Sequence, residues 1–519
     1  MFRYQTQPGD TLIGLGEALL IHPGDWPKLT TLNRISDVRH IPVGSVIRIP
    51  LALLRSHPRP GQLVAVVGQA SLAKPGTPAV AAAVGADVAP GTTITTDPTA
   101  YVTVRLADGS ELRLQPSTTV QLESSEHYEA PGFFASTLRV LQGRVEALVT
   151  HMTGGEPRFK VKTPQTVLGV RGTEFRIATD GAHGQTRAEV LTGLVAVGEG
   201  RRPTLLDSGF ATQADGAGHI ATKVPLLPAP DLSSLPALYE RLVVRADLHP
   251  VPGAARYWGQ VSRDRFFSMV QAEASSSTPE LRWANLPDGN YVLRVRVADA
   301  NGIEGRDAIH HFKLKARPEP PMASWPTPRG IVQGTAAKLA WAQQTEAASY
   351  HVQVARDPEF KELLRDEASV KVASFSADLL PGAYFWRLAS VRPDGDQGPF
   401  GDPQSFVLRP LPPQPGPPKI DERHIRFSWA GEPGQTFEFQ MARDEGFASV
   451  VLAQRLNTPV IELDKPSEGG RYFIRYRAID ADGFVGAYTS AQFFDLPRCV
   501  ADGRGQCVHA GAGGLLINP

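Results

Sequence analysis

The sequence predicts a mainly β, multidomain protein, and three observations carry that expectation. Alternating apolar and polar residues meet Gly- and Asp-containing turns through most of the chain. Three landmarks recur in step through its second half, and helical periodicity is confined to the first fifty residues. A chain of 519 residues is several domains long, because single cores rarely grow beyond about 250–300 residues. Lys plus Arg equals Asp plus Glu at 53 each, so the formal charge is zero and no basic excess points to nucleic acid. The 45 Pro and 49 Gly suit many short strands joined by turns.

The first element is a short strand ending in Tyr4-Gln5-Thr6-Gln7, turned by Pro8-Gly9. Asp10 or Thr11 can accept the free N–H groups of a helix start, and Leu12, Leu15, Leu19 and Leu20 follow at helical spacing. A second helix over Trp26–Leu32 is expected to pack Trp26, Leu29 and Leu32 inward, with Asn33 at its exit. Val46-Ile47-Arg48-Ile49 is the returning strand, stopped by Pro50. This βααβ order, with Pro8-Gly9-Asp10-Thr11-Leu12 at its first turn, resembles the LysM family, and residues 1–52 are assigned to such a module. The resemblance implies binding of N-acetylglucosamine polymers such as peptidoglycan or chitin. It implies a groove with Gly9, Asp10, Thr11 and Leu12 on one side and Asn33, Arg34 and Ile35 on the other. The same residues would also serve as plain turn and cap residues in any βααβ domain.

Residues 60–220 alternate with period two. Tyr101–Ala107 and Ser110–Leu114 flank Asp108-Gly109, a hairpin signal, and put Val102, Val104, Leu106, Leu112 and Leu114 in one layer. Further strands are expected at 119–123, 136–141, 144–150, 158–163, 173–178 and 186–191, with Gly143 and Gly193 in turns. The stretch Leu106-Ala107-Asp108-Gly109-Ser110-Glu111-Leu112 and the segment Val161-Lys162-Thr163-Pro164 through Val170-Arg171-Gly172-Thr173-Glu174-Phe175 resemble the FecR-type domain. That resemblance implies an antiparallel all-β domain on the periplasmic side, relaying a signal from an outer-membrane receptor to a sigma factor. The relay role transfers poorly, since this chain has a LysM-like module where signalling members carry an anti-sigma segment and a membrane helix. Gly172 is expected in a tight turn.

From residue 228 the chain repeats. Tyr257-Trp258-Gly259-Gln260-Val261-Ser262-Arg263-Asp264 matches Tyr350 through Asp357 and again Phe437 through Asp444, at offsets of 93 and 87 residues. Gly289-Asn290-Tyr291, Gly382-Ala383-Tyr384 and Gly470-Arg471-Tyr472 keep step, as do Asn301-Gly302, Asp394-Gly395 and Asp482-Gly483. Each unit holds some seven short strands, which argues a β-sandwich, with Trp341 and Trp429 placed as core tryptophans. The units, 228–316, 320–409 and 416–497, resemble fibronectin type III domains. Proline-rich joints at 317–321 and 410–418 are expected to be extended, semi-rigid spacers.

The tail, 498–519, holds both cysteines, Cys499 and Cys507. Seven residues separate them, so a disulfide ring is sterically open and would contribute roughly 2.5 kcal/mol of local constraint in the chain-entropy model. A disulfide is expected, with two free thiols as the alternative. No run of 18 apolar residues exists, so no direct membrane insertion is expected. Met1 precedes the first strand too closely for a leader, and an exported protein whose leader is absent from this sequence is expected. His310-His311, in a strand, point to opposite faces and do not suggest a shared metal. Neither H-E-x-x-H, G-x-S-x-G nor a phosphate-binding glycine loop is present.

The resulting expectation is a non-catalytic envelope protein of the periplasm or cell surface, with no cofactor and no metal. It would attach to peptidoglycan and present its β domains to an envelope protein partner. The alternatives are signal sensing through the central domain, and a surface adhesin or a subunit of an extracellular assembly.

Overall fold

The computed structural model describes residues 1–128, 132–150, 158–181, 184–198 and 203–496, and the backbone of three short strands beyond them. The chain is mainly β and multidomain, and it falls into two compact units, Met1–Lys315 and Ala316–Pro519.

In the first unit, β1 (Phe2–Gln5) and β2 (Val46–Ile49) form an antiparallel pair, with Phe2 opposite Ile49 and Gln5 opposite Val46. Between them lie α1 (Leu12–Leu19) and α2 (Trp26–Asn33). Thr11 caps α1, its Oγ1 accepting the Gly14 N–H at 3.1 Å. Leu12, Leu15, Leu19 and Leu29 are buried, whereas Trp26 is half-buried and Leu32 is exposed, so α2 buries a narrower stripe than its sequence suggests. Two short turns of helix cannot wrap three large residues around one small core. The core is completed from elsewhere: Leu54, Tyr128 and Phe133 join it, and the Phe133 ring stands 5.6 Å from Phe2.

The central domain is one large sheet. Its strands include β3 (Tyr101–Arg105), β4 (Glu111–Leu114), β5 (Thr119–Tyr128), β6 (Phe133–Leu148), β7 (Phe159–Lys162), β8 (Val167–Thr179) and β9 (Thr186–Val197). The β3–β4 hairpin pairs Val104 with Leu112 and Val102 with Leu114, all buried in the expected layer. Pairing is antiparallel except for β6 with β7, which run parallel. Gly143 is not in a turn. It lies inside the continuous strand β6 at φ +92, where a Cβ would stand 2.4 Å from the Thr118 hydroxyl. Gly193 likewise lies within β9, and Gly172 at φ +60 lies within β8, where the β8–β9 register shifts. Glycine here bends long strands through bulges without ending them.

The first sandwich sets a five-stranded sheet against a two-stranded one. Its larger sheet contains β10 (Arg256–Ser262), β11 (Val270–Ser276), β12 (Gly289–Ala298) and β13 (Ala308–Leu314). Trp283 fills its core over Gly259, where any Cβ would come within 2.6 Å of the indole. In the second unit, the two further sandwiches pair sheets of five and three strands, then four and three. There Trp341 and Trp429 are buried against Tyr350 and Phe437, as expected. All three sandwiches share one corner: Tyr291, Tyr384 and Tyr472 each donate their hydroxyl to the backbone carbonyl four residues earlier, at 2.5–2.7 Å. The 410–418 joint is not a free spacer. Tyr476 donates to the Pro413 carbonyl at 2.6 Å and Gln333 to that of Pro410 at 3.0 Å, so the prolines are packed down.

Candidate functional site

At the amino terminus, Asp10 Oδ2 accepts the Tyr4 hydroxyl at 2.9 Å and the Gln7 N–H at 2.6 Å, which fixes the first turn. Gly9, at φ +92 and fully open around its Cβ position, and Thr11 complete that side. Opposite, Arg34 takes the left-handed conformation that ends α2, at φ 54. Asn33, at the exit of α2 as expected, also latches the last strand: its Nδ2 donates to the Leu29 and Arg48 carbonyls, both at 2.9 Å, and its Oδ1 accepts the Arg48 N–H at 2.7 Å. Ile35 is half-buried in the core, and the Leu12 N–H reaches the Val38 carbonyl at 3.4 Å. The Leu12 side chain, expected on the binding wall, is fully buried. Tyr128 and Phe133 share the small core with Leu12 and Ile35, the Phe133 ring lying against Phe2.

A second site lies within the first unit, where the central sheet meets the first sandwich. Arg294 and Arg296 on β12 reach Glu146 on β6: Arg294 is bidentate at 2.9 and 3.0 Å, and Arg296 adds a bond at 2.7 Å. Arg296 also holds Glu304 at 2.6 Å and Asp307 at 2.9 Å. From the sheet side, Arg176 donates to the Gly305 carbonyl at 2.8 Å and pairs with Asp307 at 2.7 Å. Arg144 pairs with Glu304 at 3.2 Å and stacks on Trp258 at 4.3 Å. Tyr101 donates to Glu273 at 2.5 Å. A cavity of about 390 Å³ opens here, lined among others by Arg144, Arg187, Glu189, Trp258, Glu273 and Glu304.

Burial and charge oppose each other throughout this cluster. Burial pushes Glu146 up, but Arg294, Arg296, Arg176 and Arg113 together outweigh it and hold its carboxyl well below the usual range. Glu304 and Asp307 are lowered in the same way, against burial, by their arginines. Arg296 is held well above its ordinary value by Asp307, Glu146 and Glu304 despite burial, whereas for Arg294 burial wins and lowers it. Glu189 is the exception. Burial, and then the charge of Glu304, raise it to about 7, against the weaker pull of Arg176 and Arg187.

Residues 92–196 match the protein family described as FecR. That FecR-like stretch covers β3 through most of β9 and includes Glu146, Arg176 and Glu189. No curated protein matches the chain. Among solved structures, two of an assigned anti-sigma factor from Parabacteroides distasonis match at 19% and 20% identity, each covering 26% of this chain and 59% of that one, with a TM-score of 0.22. The chain therefore spans about three-fifths of those structures. The FN1–FN3 domains of chicken CNTN1 match at 14% identity over 52% of this chain and 98% of that one, with a TM-score of 0.21.

The side chains of Cys499 and Cys507, and with them the expected disulfide, lie outside the described residues. His310 contacts the Pro236 carbonyl at 3.0 Å while His311 is exposed on the alternate face of β13. Among the described residues no cluster of His, Cys, Asp or Glu could hold a metal, and no helix is long and apolar enough to cross a membrane. The ionic joint of the FecR-like sheet was not anticipated from sequence, although a signal existed. Where the second and third repeats carry Gln397 and Phe400, then Val485 and Tyr488, the first carries Glu304 and Asp307. Phe400 and Tyr488 cover Arg387 and Arg475 at 4.4 and 4.3 Å. The first repeat replaces that aromatic lid with carboxylates and docks onto the sheet.

Proposed function

We propose that this chain is a non-catalytic cell-envelope scaffold that grips peptidoglycan, or a related N-acetylglucosamine polymer, through its amino-terminal LysM-like groove. The FecR-like sheet and the sandwiches then face a protein partner. What supports this reading is the βααβ order of the amino terminus, in which Asp10 fixes the first turn and Asn33 holds the returning strand. Gly9, Asp10 and Thr11 would line one wall, and Asn33, Arg34 and Ile35 the other. A single module gives modest affinity, which oligomerisation would raise through avidity. Co-sedimentation of the purified protein with sacculi, beside a known binder in the same buffer, is the test. Recovery only in the supernatant removes the anchoring role.

A second reading, sensing of an envelope signal, is favoured by the match over 92–196. In it the FecR-like region binds a receptor or ligand and passes the event to a membrane partner. Cross-linking in detergent extracts should then recover an integral membrane protein, and repeated failure to do so counts against it.

A further inference from the structure

Glu189 differs from every other carboxylate at the joint between the FecR-like sheet and the first sandwich. Glu146, Glu304 and Asp307 each engage at least one guanidinium. Glu189 is 2% exposed, yet among the described residues it makes no ion pair; its Oε1 accepts only the backbone N–H of Glu304, across the joint, at 3.3 Å. The charged groups around it are all turned elsewhere. Arg176, directly opposite on β8, points to the Gly305 carbonyl and Asp307. Arg187, on the same strand, is bidentate to Asp180 at 2.7 and 3.1 Å. On the other flank the neighbouring strand offers only Ala211. From the sandwich side comes Glu304, with Arg296 and Arg144 already bound to it. A buried carboxylate that no guanidinium contacts, set beside a second carboxylate, favours its neutral form. The cavity that Glu189 lines gives water and protons a way in.

We propose that this joint is a proton-operated latch, closed when Glu189 carries a proton and loosened when it ionises against Glu304. The ionised partners Glu146, Glu304 and Asp307 keep the joint closed over the same range, because their carboxyls are held below ordinary values. The sign for Glu189 is opposite. With its acid form favoured up to about pH 7 in the closed joint, and an ordinary value near 4.5 once open, closure weakens as pH rises from about 4.5 to about 7 and is level above that. The closed-to-open ratio changes by about two orders of magnitude across this window.

The full-length protein tests this in two ways. Infrared spectra should contain the carbonyl band of a buried protonated carboxylic acid that disappears near neutral pH and is missing in Glu189→Gln. Hydrogen exchange of segment 299–307, corrected for intrinsic rate, should rise by about two orders of magnitude between pH 4.5 and 7.5 in wild type and stay flat in Glu189→Gln. Strand 470–479 of the third sandwich serves as the internal control. Should Glu189→Gln fail to fold, Glu304→Gln replaces it: the band should then titrate at lower pH, the neighbouring charge being gone. Absence of the band, pH-independent exchange, or an unchanged profile in either variant overturns the latch.

Discussion

Replacing one arginine in three equivalent places separates docking from ordinary sandwich stability. Arg294, Arg387 and Arg475 occupy the same position in successive repeats, each beside a glutamine (Gln260, Gln353, Gln440) and over a phenylalanine ring at 4.0–4.3 Å. Arg387 and Arg475 each donate to that glutamine oxygen at 2.8 Å. Arg294 donates to Gln260 and, in addition, makes two bonds to the buried Glu146. Arg294→Ala therefore strips a buried carboxylate of its bidentate partner and should cost about 3–5 kcal/mol, only part of which Arg296 can recover. Arg475→Ala loses a charge-assisted hydrogen bond and ring contacts, about 1–2 kcal/mol, and Arg387→Ala loses the matching contacts among its others. Because a multidomain chain does not unfold in one step, native-state hydrogen exchange is the suitable assay, read on β12 and on strands 382–391 and 470–479. Losses that agree within about 1 kcal/mol between Arg294→Ala and Arg475→Ala would refute a special role for the Glu146 joint.

Phe133→Ala should cost about 3–5 kcal/mol and loosen a region distant in sequence, α1 and α2, which faster proteolysis between residues 12 and 33 would report. Asn33→Ala leaves two backbone groups of Arg48 without their partner and should destabilise the amino-terminal module by about 2 kcal/mol. If that variant loses glycan affinity while exchange protection of β2 stays at the wild-type level, Asn33 touches sugar directly. On the acid side, Glu146, Glu304 and Asp307 have lowered values, so the stability they give is present above their ordinary range and lost as pH falls through their bound values. Acid titration followed by exchange at β12 should thus release the joint only below the ordinary carboxylate range, and a joint indifferent to acid would contradict the ionic account. Tyr384→Phe removes the corner hydroxyl bond to Leu380 and should lower only the second sandwich's stability, by about 1 kcal/mol in a denaturant titration followed by exchange.

What could be read from the sequence was what depends on local spacing. The β3–β4 hairpin follows from Asp108-Gly109 between alternating strands, and the core places of Trp341 and Trp429 follow from their distance to the repeat landmark. The failures share one cause, long-range packing. Gly143, Gly172 and Gly193 read as turns because glycine marks both turns and bulges, and only a neighbouring strand decides which. Leu32 was expected inside but is exposed, and Tyr128 and Phe133, nearly a hundred residues later, complete the small core. Trp283 was overlooked because it comes from a strand that carries no tryptophan in the other copies, matched to a glycine at position 259. The joint was invisible residue by residue. It emerges only when the three repeats are laid side by side and two carboxylates stand out of pattern.

Strand β6 begins at Phe133, inside the amino-terminal core, and carries Glu146 at its other end, inside the joint. Thirteen residues of extended chain at roughly 3.3 Å each make a strut about 40 Å long. Load applied to the amino-terminal core would run along this one strand, past the bend at Gly143, into the ionic joint. Mechanical tension and acidity would thereby act on one and the same gate.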